Sequence, residues 1–132
     1  VCYRAKVRCR VRGIPVLPVI LDRLSVITGQ LFFGDHVVVQ PGLYVPHGQV
    51  VLSGITSVGT DAYFGPWSGL GLVSGDVRGP TLGDHVMVGT GGRALGPVQI
   101  GDNVTIGANS IVMIDVPAGA TAGSGSRPPS SR

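Results

Sequence analysis

The feature that most constrains this chain is a six-residue period that runs from Leu82 to Ala118. Cut into sixes, the segment reads LGDHVM, VGTGGR, ALGPVQ, IGDNVT, IGANSI and VMIDVP, followed by AGATAG. The first place of every six is aliphatic or small, the second is Gly in five of the seven blocks, and the fifth is small or β-branched. This period fits neither an α-helix nor a simple hairpin sheet. It predicts a parallel β-helix in which each six supplies a short strand and a corner.

The period also predicts which residues stack. Three sixes make one triangular coil, so we expect Leu82, Ile100 and Ala118 to form one inward column, and Val88 and Ile106 another. Successive coils about 4.8 Å apart pair as parallel strands. Glycine supplies the positive φ angles that tight corners need, which accounts for much of the 22 Gly.

The composition indicates a chain that is covered by other subunits. Hydrophobic residues make up 43% and charged residues only 13%, which is a low charge for a lone monomer, so we expect a homo-oligomer. The net charge of +3 comes mostly from the first twelve residues, and we expect no nucleic-acid partner. Cys2 and Cys9 both lie outside the repeats. This distribution predicts no disulfide framework and favours a reducing, cytoplasmic location.

The chain divides into three parts by pattern. Residues 1–30 form a basic N-terminal segment with a short helix around Val19–Ile27, which we expect to cap the β-helix; residues 31–123 form the β-helix; and residues 124–132 form a mobile tail. The apolar run Gly13–Ile27 is too short and too interrupted for a membrane span. Its alternative, a basic amphipathic element that contacts anionic membrane or nucleic acid, stays open but is less favoured. The first residue is Val1 and not Met, which leads us to expect a fragment.

Two irregularities interrupt the period. The early coils begin at Phe33, and VLSGITS, residues Val51–Ser57, holds one residue too many before the register resumes at Val58. Counted in sixes, Asp76 would take an inward position, which does not suit a carboxylate. The segment Ser74–Pro80 is therefore predicted to be a loop that leaves the prism, and such loops commonly build a binding face.

Three runs resemble the hexapeptide-repeat acyltransferases, above all the serine acetyltransferase-like O-acetyltransferases: LYVPHGQVVLSGITSVG, GPTLGDHVMVGTGG and VQIGDNVTIGANSIVMIDVPAGATA. With the basic lead-in YRAKVRCRVRGIPVLPVILDRLS, the resemblance covers nearly the whole chain. It implies a left-handed parallel β-helix, a homotrimer with active sites between subunits, and acetyl-CoA as co-substrate. The left hand follows from the resemblance alone, because general connection rules favour the opposite hand.

Sequence context and the resemblance together indicate different roles for the three histidines. His47 lies between Pro46 and Gly48 and matches the general base of the resembling enzymes. Its imidazole would take the proton from an acceptor hydroxyl that attacks the thioester. His36 and His85 share the word GDHV, which recurs as GDNV, and are expected to be ordinary polar corner residues. The histidines are scattered, without paired Cys or carboxylates, so no metal site is predicted.

The resemblance also indicates residues for the two substrates. Gly89, Thr90, Gly107 and Ala108 match positions that line the pantetheine groove, although corner geometry alone would also explain them. Arg127 matches a basic residue that could meet a CoA phosphate. Backbone N–H groups of the glycine corners are candidate donors to the reaction's oxyanion.

On the acceptor side, Asp76 and Arg78 match part of the loop of the serine enzymes. Trp67 would either line the groove or cover a subunit interface. Two departures bear on the acceptor: Phe32 stands where those enzymes have the Asp that orients the base, and Gly79 stands where they have a second His.

Two functions of different classes remain. The first is an acetyl-CoA-dependent O-acetyltransferase that acts on a small acceptor, either serine or a sugar or other alcohol. The second is a non-catalytic β-helix, an assembly or binding module that has lost its acceptor site; Phe32 and Gly79 favour this alternative.

Overall fold

A computed structural model describes residues 8, 11–13 and 16–123. In that part of the chain, one longer helix leads into thirteen short strands. The elements are α1 (Leu17–Gly29), β1 (Leu31–Phe33), β2 (Val37–Val39), β3 (Val50–Leu52), β4 (Ile55–Val58), β5 (Tyr63–Phe64), β6 (Gly69–Gly71), β7 (Arg78–Leu82), β8 (Met87–Val88), β9 (Arg93–Leu95), β10 (Gln99–Ile100), β11 (Thr105–Ile106), β12 (Ile111–Val112) and β13 (Thr121–Ala122).

The strands form three parallel sheets, which are the three faces of a prism. The first face has the order β1-β3-β6-β9-β12, the second β10-β7-β4-β2 and the third β13-β11-β8-β5. About five coils stack on one another. The three middle coils take one strand from each face in turn, whereas in the first and the last coil an isolated bridge, at Tyr44 and at Val116, stands in place of one strand. The predicted all-β fold class, a hexapeptide-repeat parallel β-helix with a short N-terminal helix, is confirmed, and it agrees with the left-handed form expected.

The core follows the first place of the repeat. Leu82 pairs with Ile100 and Val88 with Ile106, eighteen residues apart as predicted, and all four side chains are buried. The fifth places from Val86 to Ser110 are buried as well. Two inward residues per six therefore fill the prism, and the outward residue between them faces solvent.

Ala118 is the one wrong member of the predicted columns. It is exposed, and Val116 takes the core position under Ile100, sixteen residues later. The corner before Val116 is short because the Asp115 carboxylate accepts a hydrogen bond from the Gln99 N–H at 2.8 Å. The Val116 N–H then donates to the Gln99 carbonyl at 2.9 Å. The Asp115 side chain thus replaces part of the backbone hydrogen-bond ladder, and the coil from Ile100 to Val116 is two residues shorter than the usual eighteen.

The extra residue of the early coils lies earlier than predicted. Tyr44 and Tyr63 are nineteen residues apart in their bridge, whereas Val51 and Gly69 are eighteen apart. The additional residue therefore falls between Tyr44 and Val51, at the corner that contains His47. As a consequence Leu52 is buried and Val51, which the count in sixes placed inward, is 49% exposed.

The loop lies earlier than the predicted Ser74–Pro80 and occupies residues 72–77. The chain leaves the prism after Gly71 and re-enters it at Arg78, where β7 begins, and Pro80 is buried inside that strand. The predicted shift of Asp76 out of the core is correct, because Asp76 lies in the loop before β7. The Val77 carbonyl accepts a hydrogen bond from the Ile55 N–H at 3.0 Å, which attaches the loop to β4.

The helix α1 includes the predicted range Val19–Ile27. It runs directly into β1, and Leu24 and Ile27 are among its exposed apolar residues. Its role as a cap stays a prediction. Within the described residues, no helix has the length and apolar character needed to cross a membrane.

Candidate active site at the third corner

The corner between the third and the first face collects most of the predicted site residues. We call it the third corner; it comprises residues 46–49, 65–67, 89–91 and 107–109 of successive coils. The Gly91 N–H donates to the Pro66 carbonyl at 2.9 Å, and the Asn109 N–H donates to the Thr90 carbonyl at 2.8 Å. The peptides that follow Pro66, Thr90 and Ala108 are therefore stacked along one edge of the prism.

Glycines at this corner are required by the close approach of the coils. A Cβ on Gly65 would lie 2.8 Å from the Thr90 nitrogen, and one on Gly89 would lie 2.9 Å from the Ala108 nitrogen. Real Cβ atoms do not come so close to backbone, so Gly89 has an architectural reason to be glycine. The predicted cofactor residues Gly89, Thr90, Gly107 and Ala108 are brought together in adjacent coils, which is compatible with the groove expected of them.

The glycine N–H groups are not available as oxyanion donors. Those of Gly65, Gly89 and Gly107 donate to the carbonyls of Val88, Ile106 and Ala122 at 2.7–2.8 Å. The N–H groups of Thr90 and Ala108, one residue further, make no backbone hydrogen bond with any described residue. The expectation that the glycine corners supply oxyanion donors stays a prediction, and within these corners the N–H groups of Thr90 and Ala108 are the remaining candidates.

His47 lies at this same corner, within the turn that holds the extra residue. Gly48 packs so tightly on the Gly29 carbonyl that no side chain fits there, and the Gln49 N–H donates to the Gln30 carbonyl at 2.9 Å. Gln49 then turns the chain with a φ of 70°. These contacts hold the corner to the end of α1 and leave His47 exposed. No described residue forms a hydrogen bond or ion pair with its imidazole.

The two departures from the serine-enzyme pattern have different physical settings. Phe32 is on the outer side of the first face, paired with Val51 and 40% exposed. Gly79 is buried in β7, where its Cα faces the Thr56 hydroxyl and leaves no space for a side chain. Thr56 is itself buried, and its hydroxyl donates to the Ser53 carbonyl at 2.7 Å.

The other two histidines lie elsewhere. His85 is at the corner between the second and third faces, where it and Asn103 both have a φ of 56°. The predicted equivalence of GDHV and GDNV is therefore correct for this pair. His85 Nδ1 lies 3.8 Å from Asp61 Oδ2, and both side chains are exposed. His36 is not equivalent to them, because it precedes β2 at the corner between the first and second faces.

The predicted acceptor residues pair with each other. Arg78 Nη2 lies 2.7 Å from Asp76 Oδ2, and the Arg78 backbone N–H also donates to this carboxylate at 2.9 Å. The hydrogen bond from the Arg78 side chain, followed by the one from its backbone, lowers the pKa of Asp76 to about 2. This loop leaves the corner between the first and second faces. Within one chain, Asp76 and Arg78 therefore occupy a different edge of the prism from His47.

Trp67 is placed at the third corner, with its side chain 61% exposed. Its φ of 64° is unusual for a bulky residue. The sequence leaves two alternatives for this side chain, which either lines the groove or covers a subunit interface. Arg127 lies outside the described residues. Among the described residues, no three His, Cys, Asp or Glu side chains are grouped as metal ligands.

A parallel β-helix with a histidine corner of this kind defines a class, the hexapeptide-repeat proteins. The family model described as the hexapeptide repeat of succinyl-transferase matches residues 97–126. A serine acetyltransferase of Synechococcus elongatus is 37% identical over 125 residues, covering 92% of this chain and 51% of the relative. One of Helicobacter pylori is 45% identical over 85 residues, covering 61% of this chain and 49% of the relative.

A solved structure extends the comparison to three dimensions. The structure of Neisseria gonorrhoeae serine acetyltransferase in complex with serine matches with a TM-score of 0.80 and 30% identity, covering 96% of this chain and 54% of that one. These matches fit the hexapeptide-repeat acyltransferases, and these relatives and this solved structure are serine acetyltransferases. It spans about half the length of the curated relatives it matches.

Proposed function

We propose that this chain carries the catalytic β-helix of an acetyl-CoA-dependent O-acetyltransferase, with the hydroxyl of serine as the first candidate acceptor. The observation that carries the proposal is the third corner, where the exposed His47 shares one edge with Thr90 and Ala108. The relatives named serine acetyltransferase support the reaction type and favour serine over a sugar. The donor is acetyl-CoA, and no metal takes part.

The proposed chemistry assigns one task to each part of the corner. His47 takes the proton from the acceptor hydroxyl while its oxygen attacks the thioester carbonyl. A carbon–oxygen bond forms, the carbon–sulfur bond breaks, and the departing CoA thiolate receives the proton from the imidazolium. The N–H groups of Thr90 and Ala108 are the candidate donors to the oxyanion. Gly89 and Gly107 shape the groove for the pantetheine arm, and Arg127 binds a CoA phosphate.

A complete site then needs two chains. Asp76 and Arg78, the proposed acceptor-loop residues, lie on a different edge of the prism from His47, so they reach it only from a neighbouring subunit. A cyclic homotrimer with heterologous contacts would bring these two edges together. Exposed apolar side chains on the faces, such as those of Val38, Val51 and Met87, support an assembly that covers them.

The proposal includes the organisation and location of the chain. Residues 31–123 carry the site, residues 1–30 lead into it, and residues 124–132 follow it as a tail. Cytoplasmic location is supported by the use of acetyl-CoA and by the absence of Cys from residues 31–123.

The test is thiol release from acetyl-CoA against serine, sugars and small alcohols. His47→Ala should lower turnover by roughly 10²–10⁴-fold, the usual contribution of general-base catalysis, and should leave CoA affinity nearly unchanged. His36→Ala and His85→Ala are matched controls on other corners and should change little. Full activity of His47→Ala, or loss of activity in His85→Ala, would contradict the assignment.

The second candidate is a non-catalytic β-helix module. It is favoured by Phe32, which leaves no carboxylate at the place of the orienting Asp, and by Gly79, whose buried Cα allows no side chain. If no acceptor releases thiol from acetyl-CoA at any concentration, the hypothesis of a non-catalytic module replaces that of an O-acetyltransferase.

A further inference from the structure

Trp67 combines two properties that folding alone does not require. It has a φ of 64°, and its side chain is 61% exposed, so the indole contributes little to the core. The same corner position is held by Gln49, Gly91 and Asn109 in other coils, all with positive φ. Gly and Asn suit this conformation, whereas a bulky residue is a strained choice. Strain of this kind concentrates at functional sites.

The location of Trp67 connects it to the proposed reaction. It lies in the coil between those of His47 and Thr90, at the same corner. The peptide that joins Pro66 to Trp67 is hydrogen-bonded to the peptide that joins Thr90 to Gly91, at 2.9 Å. Gly91, the next residue in the column, has no side chain, so the edge on the Thr90 side of the indole is open.

We propose that the Trp67 indole packs against the thioester end of the pantetheine arm of acetyl-CoA. This inference rests on the proposed function. His47 takes the proton from the hydroxyl that attacks the thioester carbonyl, and the Thr90 N–H is the nearer candidate donor to the oxygen of that carbonyl. The coil between His47 and Thr90 carries Trp67. A flat apolar ring there contacts the thioester sulfur and excludes water from the acyl group.

The fluorescence of Trp67 provides a direct test, because it is the only Trp of the chain. We expect its emission to change on titration with acetyl-CoA and with S-acetylpantetheine, but not with adenosine 3′,5′-bisphosphate. An emission change with the bisphosphate alone, or none with acetyl-CoA while equilibrium dialysis shows binding, would overturn the proposal. So would an emission that follows protein dilution and not ligand, because the indole would then cover a subunit interface.

A pair of variants separates a binding role from a structural one. Trp67→Asn removes the ring and suits the positive φ, so it should raise Tm by a few degrees. It should also raise the KM for acetyl-CoA by roughly 3- to 10-fold, as expected for a lost aromatic contact. Trp67→Phe should keep most of the affinity. The matched control is Tyr44→Asn, because Tyr44 has the same exposed fraction of 61% but lies on a face; its KM should not change.

The failure of this inference can be told apart from that of the proposed function. If Trp67→Asn lowers Tm and leaves the KM unchanged in an active enzyme, the ring is structural and only the inference fails. If no acceptor ever releases thiol while S-acetylpantetheine still changes the emission, the ring binds the arm and the acetyltransferase proposal fails.

Discussion

Ile106 offers the sharpest test of the core. It is completely buried in β11, with Val88 in the coil before it and Ala122 in the coil after it. We predict that Ile106→Ala strongly lowers the free energy of unfolding. Ile114→Ala is the matched control, because Ile114 lies at a corner with 74% of its side chain exposed.

The size of the effect follows from the packing. Ile→Ala removes three carbon groups, which contribute about 0.8 kcal/mol each on burial. The rigid ladders on both sides limit collapse into the space left, so a cavity term is added, and the total is about 3–4 kcal/mol, within the usual range for such changes. For a chain of this length each kcal/mol lowers Tm by about 3–5 °C, so we expect a loss of about 10–15 °C. Ile106→Asp would bury an unpaired charge and cost more.

The assay is thermal unfolding followed by circular dichroism at one fixed protein concentration, since assembly would make Tm depend on concentration. Ile114→Ala should stay within about 0.5 kcal/mol of the parent, as surface changes usually do. Equal losses for the two variants, or a change of less than about 3 °C for Ile106→Ala, would show that the assigned register is wrong.

Three further predictions concern the loop, the buried glycine of β7 and the assembly. The pKa of the Asp76 carboxyl should be about 2, so its pairing with Arg78 stabilises the fold fully above the ordinary Asp pKa, and this stabilisation is lost as the pH falls through about 2. Arg78→Ala should raise the pKa of Asp76. An NMR titration in which Asp76 shows the ordinary Asp pKa would contradict the pairing. Gly79→Ala should lower Tm because its Cβ meets the Thr56 hydroxyl, and Thr56→Ala should recover part of the loss; strictly additive effects would speak against this contact. Light scattering at micromolar concentration should show a trimer, and a monomer alone would refute it.

The fold was predictable because the six-residue period is a local rule repeated along the chain. Each six places an aliphatic residue inward and a small residue at a corner, so the columns Leu82–Ile100 and Val88–Ile106 follow from counting alone. The same counting marked the loop around Asp76 as an interruption, because a carboxylate does not suit an inward position. It also detected an extra residue in the early coils, although it assigned that residue to Val51–Ser57.

The exact position of each interruption was decided by tertiary contacts. A count in sixes assigns the extra residue to Val51–Ser57, whereas the strand registers place it between Tyr44 and Val51, at the corner where Gly48 contacts Gly29. Likewise, the Asp115 carboxylate takes the Gln99 N–H and shortens the last corner, which moves Ala118 out of the core. Such hydrogen bonds join residues far apart in sequence, and a periodic count does not contain them.

The candidate site shows the same division. The sequence, through its resemblance, determined which residue types could serve acetyl transfer, with His47 as base and small residues for a groove. Only the tertiary structure determined which of them share an edge: Thr90 and Ala108 lie with His47 and Trp67, whereas Asp76 and Arg78 lie on another. The reason is geometric, because the edge a residue occupies depends on the sum of all insertions before it and on the backbone hydrogen bonds that set each coil on the last.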